Sequence, residues 1–361
     1  MLISTEPIGS IPRPQALLAA LTQYRAGHAG ADALHEAYDA ALKDTIQRFE
    51  ATGSPVISDG EQRKSSFATY PLEGLGNIAD DGLVIPFEDG HSRRLPRLTR
   101  GPFRYSTFAV QYLQAALRHA HVPVKQAVIS ASALSLLYPE QGLDGYSHEQ
   151  FLQDLVHEVA SDIRKCLDIG AWRVQIDFTE GRLAVKLDPT KALLKEFIAL
   201  NNRVLAEFNS EQRKRIGVHT CPGGDHDSTH SADVDYAELL PDLFQLNAGN
   251  FYLQLASEKD PRRILSVIKE AMQPGQRVFV GVIDVNDNAV ETPETVRDRV
   301  LLAAQYIPLE QLGTTDDCGF SPFEDDTSTG RDIAFAKIRA RVLGTQMAAE
   351  QLRTQASGEF R

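Results

Sequence analysis

Cysteine is scarce in this chain. Its three residues, Cys166, Cys221 and Cys318, are odd in number and far apart among 361 positions. That excludes a disulfide framework, which a chain of this size does not need, and leaves cytoplasmic thiols or metal ligands as the readings. Long apolar runs are missing too. None approaches the ~18 residues a membrane span requires, and the opening MLISTEPIGSIPRP has no basic n-region or apolar core of a secretory signal. Basic stripes are absent: Asp plus Glu number 49 against 37 Lys plus Arg, with no block of one sign. Nothing is therefore in place to release phosphate counterions, and nucleic acid is excluded as a partner. The expectation is a soluble cytoplasmic protein with no membrane association. No internal repeat or low-complexity segment is evident, and no G-x-G-x-x-G follows the first strand pattern.

What is present is alternation. Hydrophobic residues make up 42% of the chain, enough for a large core. β-rich runs occur near residues 2–9 (LISTEPIG), at 55–60 (PVISDG), 125–131 (KQAVISA), 172–177 (WRVQID), 215–221 (RIGVHTC), 250–256 (NFYLQLA), 277–284 (RVFVGVID) and 312–318 (LGTTDDC). Helical stretches separate them. In HEQFLQDLVHEVASDIRKCLDIG, Phe151, Leu152, Leu155, Val159, Ile163 and Leu167 recur at helical spacing and Gly170 marks the stop; KALLKEFIALNNRVLAEF and PRRILSVIKEAM repeat the pattern. Eight strand–helix units with near-continuous apolar strands predict a single (β/α)8 TIM barrel of class α/β, residues 1–361, rather than an open doubly wound sheet. Residues 62–110 are too long and polar for a plain crossover and are read as a β-hairpin or lid inserted after strand 2.

Polar residues then fall into register. Ser10, Asp59, Glu61, Asp177, His219, Cys221, Asp284, Asp317 and Cys318 lie at or just past the C-terminal ends of predicted strands, which in a barrel converge on one mouth. His219 and Cys221, at i and i+2 of a strand, point to the same face, and the barrel brings Cys318 towards them. One imidazole and two thiolates suit Zn2+ and leave a fourth position open, as in catalytic sites. Such a site binds a substrate thiol and holds it as thiolate at neutral pH. Against this stands the frequency of H-x-C and of cysteines that serve only as packing. Cys166, inside a helical pattern, is assigned to structure. His226 and His230 are read as part of a solvated Gly-rich loop and Trp172 as core. Asp59 with Glu61 either binds a substrate ammonium or caps a helix. Asp177 is the best carboxylate candidate for the pocket, since a lone buried carboxylate needs a partner.

The ordered segments IGSIPRP, ISDGEQRKSSF, VQIDFTEG, GVHTCPGG, FVGVIDVND and TTDDCGF resemble the catalytic barrel of cobalamin-independent methionine synthase, a family within the zinc-dependent thiol alkyltransferases that also include epoxyalkane:coenzyme M transferase. The resemblance covers nearly all of this chain and the catalytic half of the two-barrel enzyme. It implies a (β/α)8 barrel with His219, Cys221 and Cys318 as zinc ligands. It further implies that Ile8 and Ser10 receive an amino-acid carboxylate and that Glu61 and Asp177 bind the amino group of a homocysteine-like thiol. The implied activity is that of a 5-methyltetrahydropteroyltriglutamate–homocysteine methyltransferase-like enzyme. Its partners would be a small thiol and an alkyl donor, with a homo-oligomer or a donor-delivering partner protein as further assembly options.

Three departures bear on the donor. The family's fourth ligand, a glutamate, is replaced by Leu255, or by Gln254 with a one-residue shift. The pterin-stacking tryptophan gives way to Ala131 or a neighbour, and the presumed acid, a histidine, to Asn286. Proton delivery and a stacking platform are what a poor amine leaving group needs, so the thiol half matches while the donor half is rebuilt. The first expectation is zinc-dependent methyl transfer to homocysteine from a donor that need not be a polyglutamyl folate. A second is alkylation of another thiol such as coenzyme M, with Arg13, Arg63 or Lys64 meeting its sulfonate. A third, of another class, is a non-catalytic zinc- or thiol-binding barrel.

Overall fold

Near-continuous apolar strands need cover on both faces, and a ring of parallel strands jacketed by helices supplies it. In the computed structural model, which describes residues 3–358, seven strands form one sheet with parallel pairing throughout. Their spatial order is Ser4–Thr5, Leu312–Thr315, Arg277–Gly281, Asn250–Leu253, Ile216–Thr220, Val174–Asp177 and Gln126–Ile129. The eighth stave is a single parallel bridge, Ile57 with Val124, supported by Ile57 N–H to Pro123 O (3.0 Å) and Lys125 N–H to Ile57 O (2.8 Å). Between this stave and Ser4–Thr5 the ring is joined by Ile11 N–H to Gly60 O (3.0 Å) and Ser58 Oγ–H to Gly9 O (2.7 Å), not by a ladder. The architecture is the TIM barrel expected from periodicity.

Both staves at this seam are shorter than predicted. Of the strand expected over residues 2–9, Leu2 lies outside the described residues and the ladder covers Ser4–Thr5; Pro7 has no N–H to extend it. Residues 55–60 begin on Pro55 and turn away at Gly60 (φ +65°) and Glu61 (φ +55°).

The helices form where spacing predicted. Over His148–Asp168, Ser147 Oγ accepts Gln150 N–H while Gln150 Oε1 accepts Ser147 N–H, a reciprocal cap. Phe151, Leu155, Val159, Ile163 and Cys166 are buried along one face, and each such aliphatic or aromatic side chain contributes roughly 1.5–3 kcal/mol on burial. Cys166 is fully enclosed, in keeping with a packing role. Trp172 is not core: it is 44% exposed, and its indole N–H reaches Glu6 Oε1 (3.0 Å). It precedes the Val174–Asp177 strand at the barrel's closed end, where a ring with one polar edge suits a half-wet rim.

The interior of the barrel is filled differently from the jacket. Tyr252 stacks on Phe279 (4.7 Å between centroids), and Lys125 Nζ lies 3.8 Å from the Tyr252 ring centre. Glycine makes this room. A Cβ at Gly313 would meet the Phe279 ring at 2.4 Å, and one at Gly217 the Tyr252 ring at 2.6 Å.

Within residues 62–110, Ile78–Ala79 pairs antiparallel with Arg97–Leu98, and Val84–Pro86 with Ser92–Arg94. The arm so formed folds over the mouth. Arg93 donates to Asp225 Oδ2 (2.5 Å) and Asp325 Oδ1 (2.8 Å), and Glu88 N–H to Thr229 O (3.0 Å). No helix among the described residues is long and apolar enough to cross a membrane.

Candidate functional site

Ile216–Thr220 delivers the central residue of the site. His219 is buried, its Nδ1 lies 3.2 Å from Tyr252 O, and its Nε2 has no partner. A backbone carbonyl can only accept, so Nδ1 carries the hydrogen and Nε2 presents a lone pair. Cys221 follows on the same face, and Cys318 arrives from the end of Leu312–Thr315. The two sulfurs are 3.1 Å apart. The ligating atoms of His219, Cys221 and Cys318 all lie within 4.8 Å of one another. A hydrogen bond from Cys318, aided by His219, pulls the Cys221 thiol well below its usual range, while the same pairing and burial push Cys318 well above. An orphaned buried nitrogen aimed at two thiols, one inclined to ionise, is a donor set that fits a soft metal ion.

This cluster opens into a cavity of about 300 Å³ whose wall includes Ile8, Ser10, Glu61, Asp177, His219 and Cys318. Of the residues selected from strand ends, Ser10, Glu61, Asp177, His219 and Cys318 thus converge on this cavity. Glu61 sits in a left-handed backbone conformation held by Asp59 Oδ1, which accepts Glu61 N–H at 3.0 Å. Asp59 therefore neither caps a helix nor lines the cavity; it shapes the turn that presents Glu61. The Glu61 Oε1 atom takes Lys64 Nζ at 3.2 Å, and Oε2 is buried without a partner. Burial pushes Glu61 up to about 7, against Lys64 and with Asp177 adding to the rise. Asp177 is likewise raised by burial, opposed by His219, Lys64 and the Gln175 amide. Its Oδ1 accepts Gln175 Nε2 (2.7 Å), and Gln175 Oε1 in turn accepts Lys125 Nζ (2.6 Å). Ser10 Oγ accepts Ser321 N–H at 3.1 Å.

Other strand-end residues serve elsewhere. Asp317 takes the N–H groups of Leu255, Ala256 and Ser257 and the Ser257 hydroxyl. Asp284 accepts Asn286 N–H at 3.0 Å. Leu255 is buried, and Gln254 is turned to Ser257 and Glu258, so neither joins the donor cluster. Asn286 is exposed and does not line the cavity, although its Oδ1 and Cys318 Sγ each lie 3.9 Å from the Cβ position of Gly224. Of the cations proposed for a sulfonate, Arg13 is committed to the carbonyls of Ser321, Glu61 and Lys64, and Arg63 pairs outside with Asp39. Lys64 is bound to Glu61 and Ala127 O.

The Gly-rich loop is not the solvated loop expected. Gly224–Asp225 pairs with Ser228–Thr229 across His226 and Asp227, both at positive φ, as a two-residue hairpin requires. His230 is buried in the cavity wall against Phe87, and burial depresses its imidazole to about 4. Sequence reading also passed over Glu180, a buried carboxyl in the same wall.

A family profile described as cobalamin-independent synthase, catalytic domain, matches residues 2–330. A protein named methionine synthase from Sulfurisphaera tokodaii is 23% identical over 361 residues, covering 98% of this chain and 95% of that one. One of the same name from Sulfolobus acidocaldarius is 24% identical, covering 98% and 94%. Among solved structures, a B12-independent methionine synthase from Shewanella sp. W3-18-1, in complex with selenomethionine, superposes with a TM-score of 0.76 at 20% identity, covering 98% of this chain and all of that one. A putative vitamin-B12-independent methionine synthase from Listeria monocytogenes gives 0.71, also at 20%. These superpositions bear on the fold.

Proposed function

We propose, from the premise that the chain belongs to the cobalamin-independent synthase catalytic-domain family, that it transfers a methyl group to the thiol of homocysteine, with zinc held by His219, Cys221 and Cys318. The observation that carries this reading is the unpartnered Nε2 of His219, buried beside two thiols in a cavity whose wall also holds the carboxyls of Glu61 and Asp177. Zinc bound there supplies the charge that keeps a thiol ionised at neutral pH.

The remaining groups select and orient. The free Oε2 of Glu61, together with Asp177, takes the ammonium of an amino-acid thiol; an ammonium nearby would also return both carboxyls to their ionised forms. Ser10 and the backbone at Ile8 face the carboxylate end. The Lys125–Gln175–Asp177 chain fixes the Asp177 oxygen that is not needed for substrate. The arm carrying Ile85 and Phe87 covers the cavity and limits water. Arg13 and Arg63 are engaged elsewhere and Lys64 is held by Glu61, so those three are committed, and the free Oε2 of Glu61 beside Asp177 is what favours an amino-acid thiol over coenzyme M.

The test is product formation. Purified protein with L-homocysteine and a methyl donor carrying labelled carbon yields labelled methionine by mass spectrometry, and chelator abolishes it while added zinc restores it. Metal-independent labelling, or labelling of coenzyme M in preference to homocysteine, contradicts the reading.

A further inference from the structure

Glu180 is a buried carboxyl that the thiol half of the site does not use. It opens the helix Glu180–Leu187, three residues beyond Asp177, and lines the same cavity as His219 and Cys318. Its Oε1 is doubly occupied: Ser130 Oγ donates at 2.6 Å, and the Ser132 hydroxyl donates as well. The direction of both bonds is fixed by what lies behind them. Ser130 Oγ already accepts Ala133 N–H (3.0 Å), and Ser132 Oγ accepts Asn201 Nδ2 (2.6 Å). Asn201 cannot be turned round, because its Oδ1 accepts Ala131 N–H (3.1 Å) and its Nδ2 also donates to Phe197 O (3.0 Å). Among the described residues the one other acceptor for these hydrogens is Ser130 Oγ, 3.4 Å from Ser132 Oγ and so a longer contact than Oε1, and each hydroxyl spends its single hydrogen on Oε1. A proton on Glu180 has only Oε2 to occupy, the atom that is buried with no partner in the protein.

We propose that Glu180 is the acid that protonates the departing group of the methyl donor, presenting its proton from Oε2 into the cavity it shares with the His219–Cys221–Cys318 cluster. The proposal rests on the reading of the site as a thiol methyltransferase. It supplies the acid that Asn286, exposed and outside the cavity, cannot. The role matters for a donor whose methyl leaves a neutral amine nitrogen, since that leaving group departs only with a proton. In the step, the C–S bond forms from a sulfur lone pair of the homocysteine thiolate, the C–N bond breaks, and its electron pair stays on nitrogen and takes the Oε2 proton. The thiol proton passes to solvent when the thiolate forms, and Glu180 regains a proton from solvent after the products leave, so protons balance over the cycle. Burial, with Asp177 adding to it and the two serines opposing, pushes Glu180 up to about 7, which suits a group that must both hold and surrender a proton near neutrality.

The test compares Glu180→Gln, which keeps the Oε1 acceptor, with wild type on donors that differ in leaving group. Methyl iodide and S-methylmethionine release iodide or a neutral thioether and need no proton; 5-methyltetrahydrofolate, with one or three glutamates, releases an amine that does. The proposal expects Glu180→Gln to lose about a hundredfold or more in kcat with the folate donor and to match wild type with the other two. A direct readout accompanies it: the infrared difference spectrum of metal-free wild type minus Glu180→Gln at pH 6 shows the carbonyl band of a protonated carboxyl. Equal losses on all donors, unchanged folate turnover, a wild type that accepts only donors needing no proton, or absence of that band each overturns the assignment. Alkylation of homocysteine by methyl iodide that exceeds the protein-free rate equally with metal-free and metal-loaded protein would instead overturn the thiol-activation reading beneath it.

Discussion

Asp317→Asn separates a residue that shapes the metal centre from those that would bind the metal. Asp317 sits beside Cys318, and its two oxygens accept four hydrogen bonds: Leu255 N–H and Ala256 N–H at 2.9 Å each on Oδ1, Ser257 N–H at 2.8 Å and the Ser257 hydroxyl at 2.7 Å on Oδ2. The side chain thus ties the segment after Asn250–Leu253 to the residue preceding a proposed ligand. Asparagine keeps the Oδ1 pair but turns an amide nitrogen towards Ser257 N–H, which is left facing a donor. A buried orphaned N–H costs about 1–3 kcal/mol, and the two retained bonds lose their charge assistance. The sum is about 3 kcal/mol, which for a chain of 361 residues corresponds to roughly 4 °C in Tm. Urea unfolding followed by circular dichroism checks the stability, and dialysis against chelator followed by metal analysis checks the site, where roughly tenfold weaker retention is expected. Ser257→Ala, which removes the hydroxyl's bond to Asp317 and the acceptor it offers Gln254 Nε2, should lose about 1–2 kcal/mol. An Asp317→Asn protein that unfolds at the wild-type urea concentration and retains metal equally would refute this reasoning.

Three further outcomes are expected. Cys221→Ser and Cys318→Ser each remove most bound metal and all thiol alkylation, whereas Cys166→Ser changes neither; full metal retention by Cys318→Ser would sink the three-ligand assignment. Asp177→Asn weakens binding of L-homocysteine by calorimetry far more than that of a thiol lacking an amino group, and equal losses would remove its ammonium-binding role. Asp162, buried between Tyr70 Oη and Ala109 N–H, is lifted by burial from 3.8 to about 6. Because the folded value lies above the unfolded one, its stabilisation is complete below about pH 4 and is lost as pH rises through 6, about 3 kcal/mol in all. Wild-type urea midpoints should therefore fall relative to those of Asp162→Asn between pH 4.5 and 7, and a constant difference would contradict the assignment.

The residues that chemistry selects at strand ends were legible because a strand end is a local event. His219 lies in one strand and Cys221 one residue past its end, two positions on, and Asp177 closes another strand. What escaped depends on partners distant in the chain. Glu180 reads as an ordinary acidic residue in a first helical turn; its special state comes from Ser130 and Ser132, 50 and 48 residues earlier, and from Asn201 behind them. His230 looked solvated because the arm that buries it, with Phe87, comes from residues far upstream. Trp172 looked like core because the rim of a barrel is not marked by periodicity. Asp317 was selected as a strand-end carboxylate, yet its hydrogen bonds turn it away from the cavity to Leu255–Ser257. The first and eighth staves were legible as strands but not as a seam, since Pro7, Pro55 and the turn at Gly60–Glu61 act on pairing rather than on hydrophobic pattern.

The central claim is that His219, Cys221 and Cys318 hold a metal whose open position takes a substrate thiol. The most direct measurement is metal analysis of the purified protein followed by titration with L-homocysteine, recording proton release and metal–sulfur coordination by X-ray absorption. The account predicts one zinc per chain, one proton released per homocysteine bound, and one sulfur neighbour added to the two from the cysteines. Protein that binds no zinc after reconstitution, or homocysteine that binds without adding a sulfur to the metal, would contradict it.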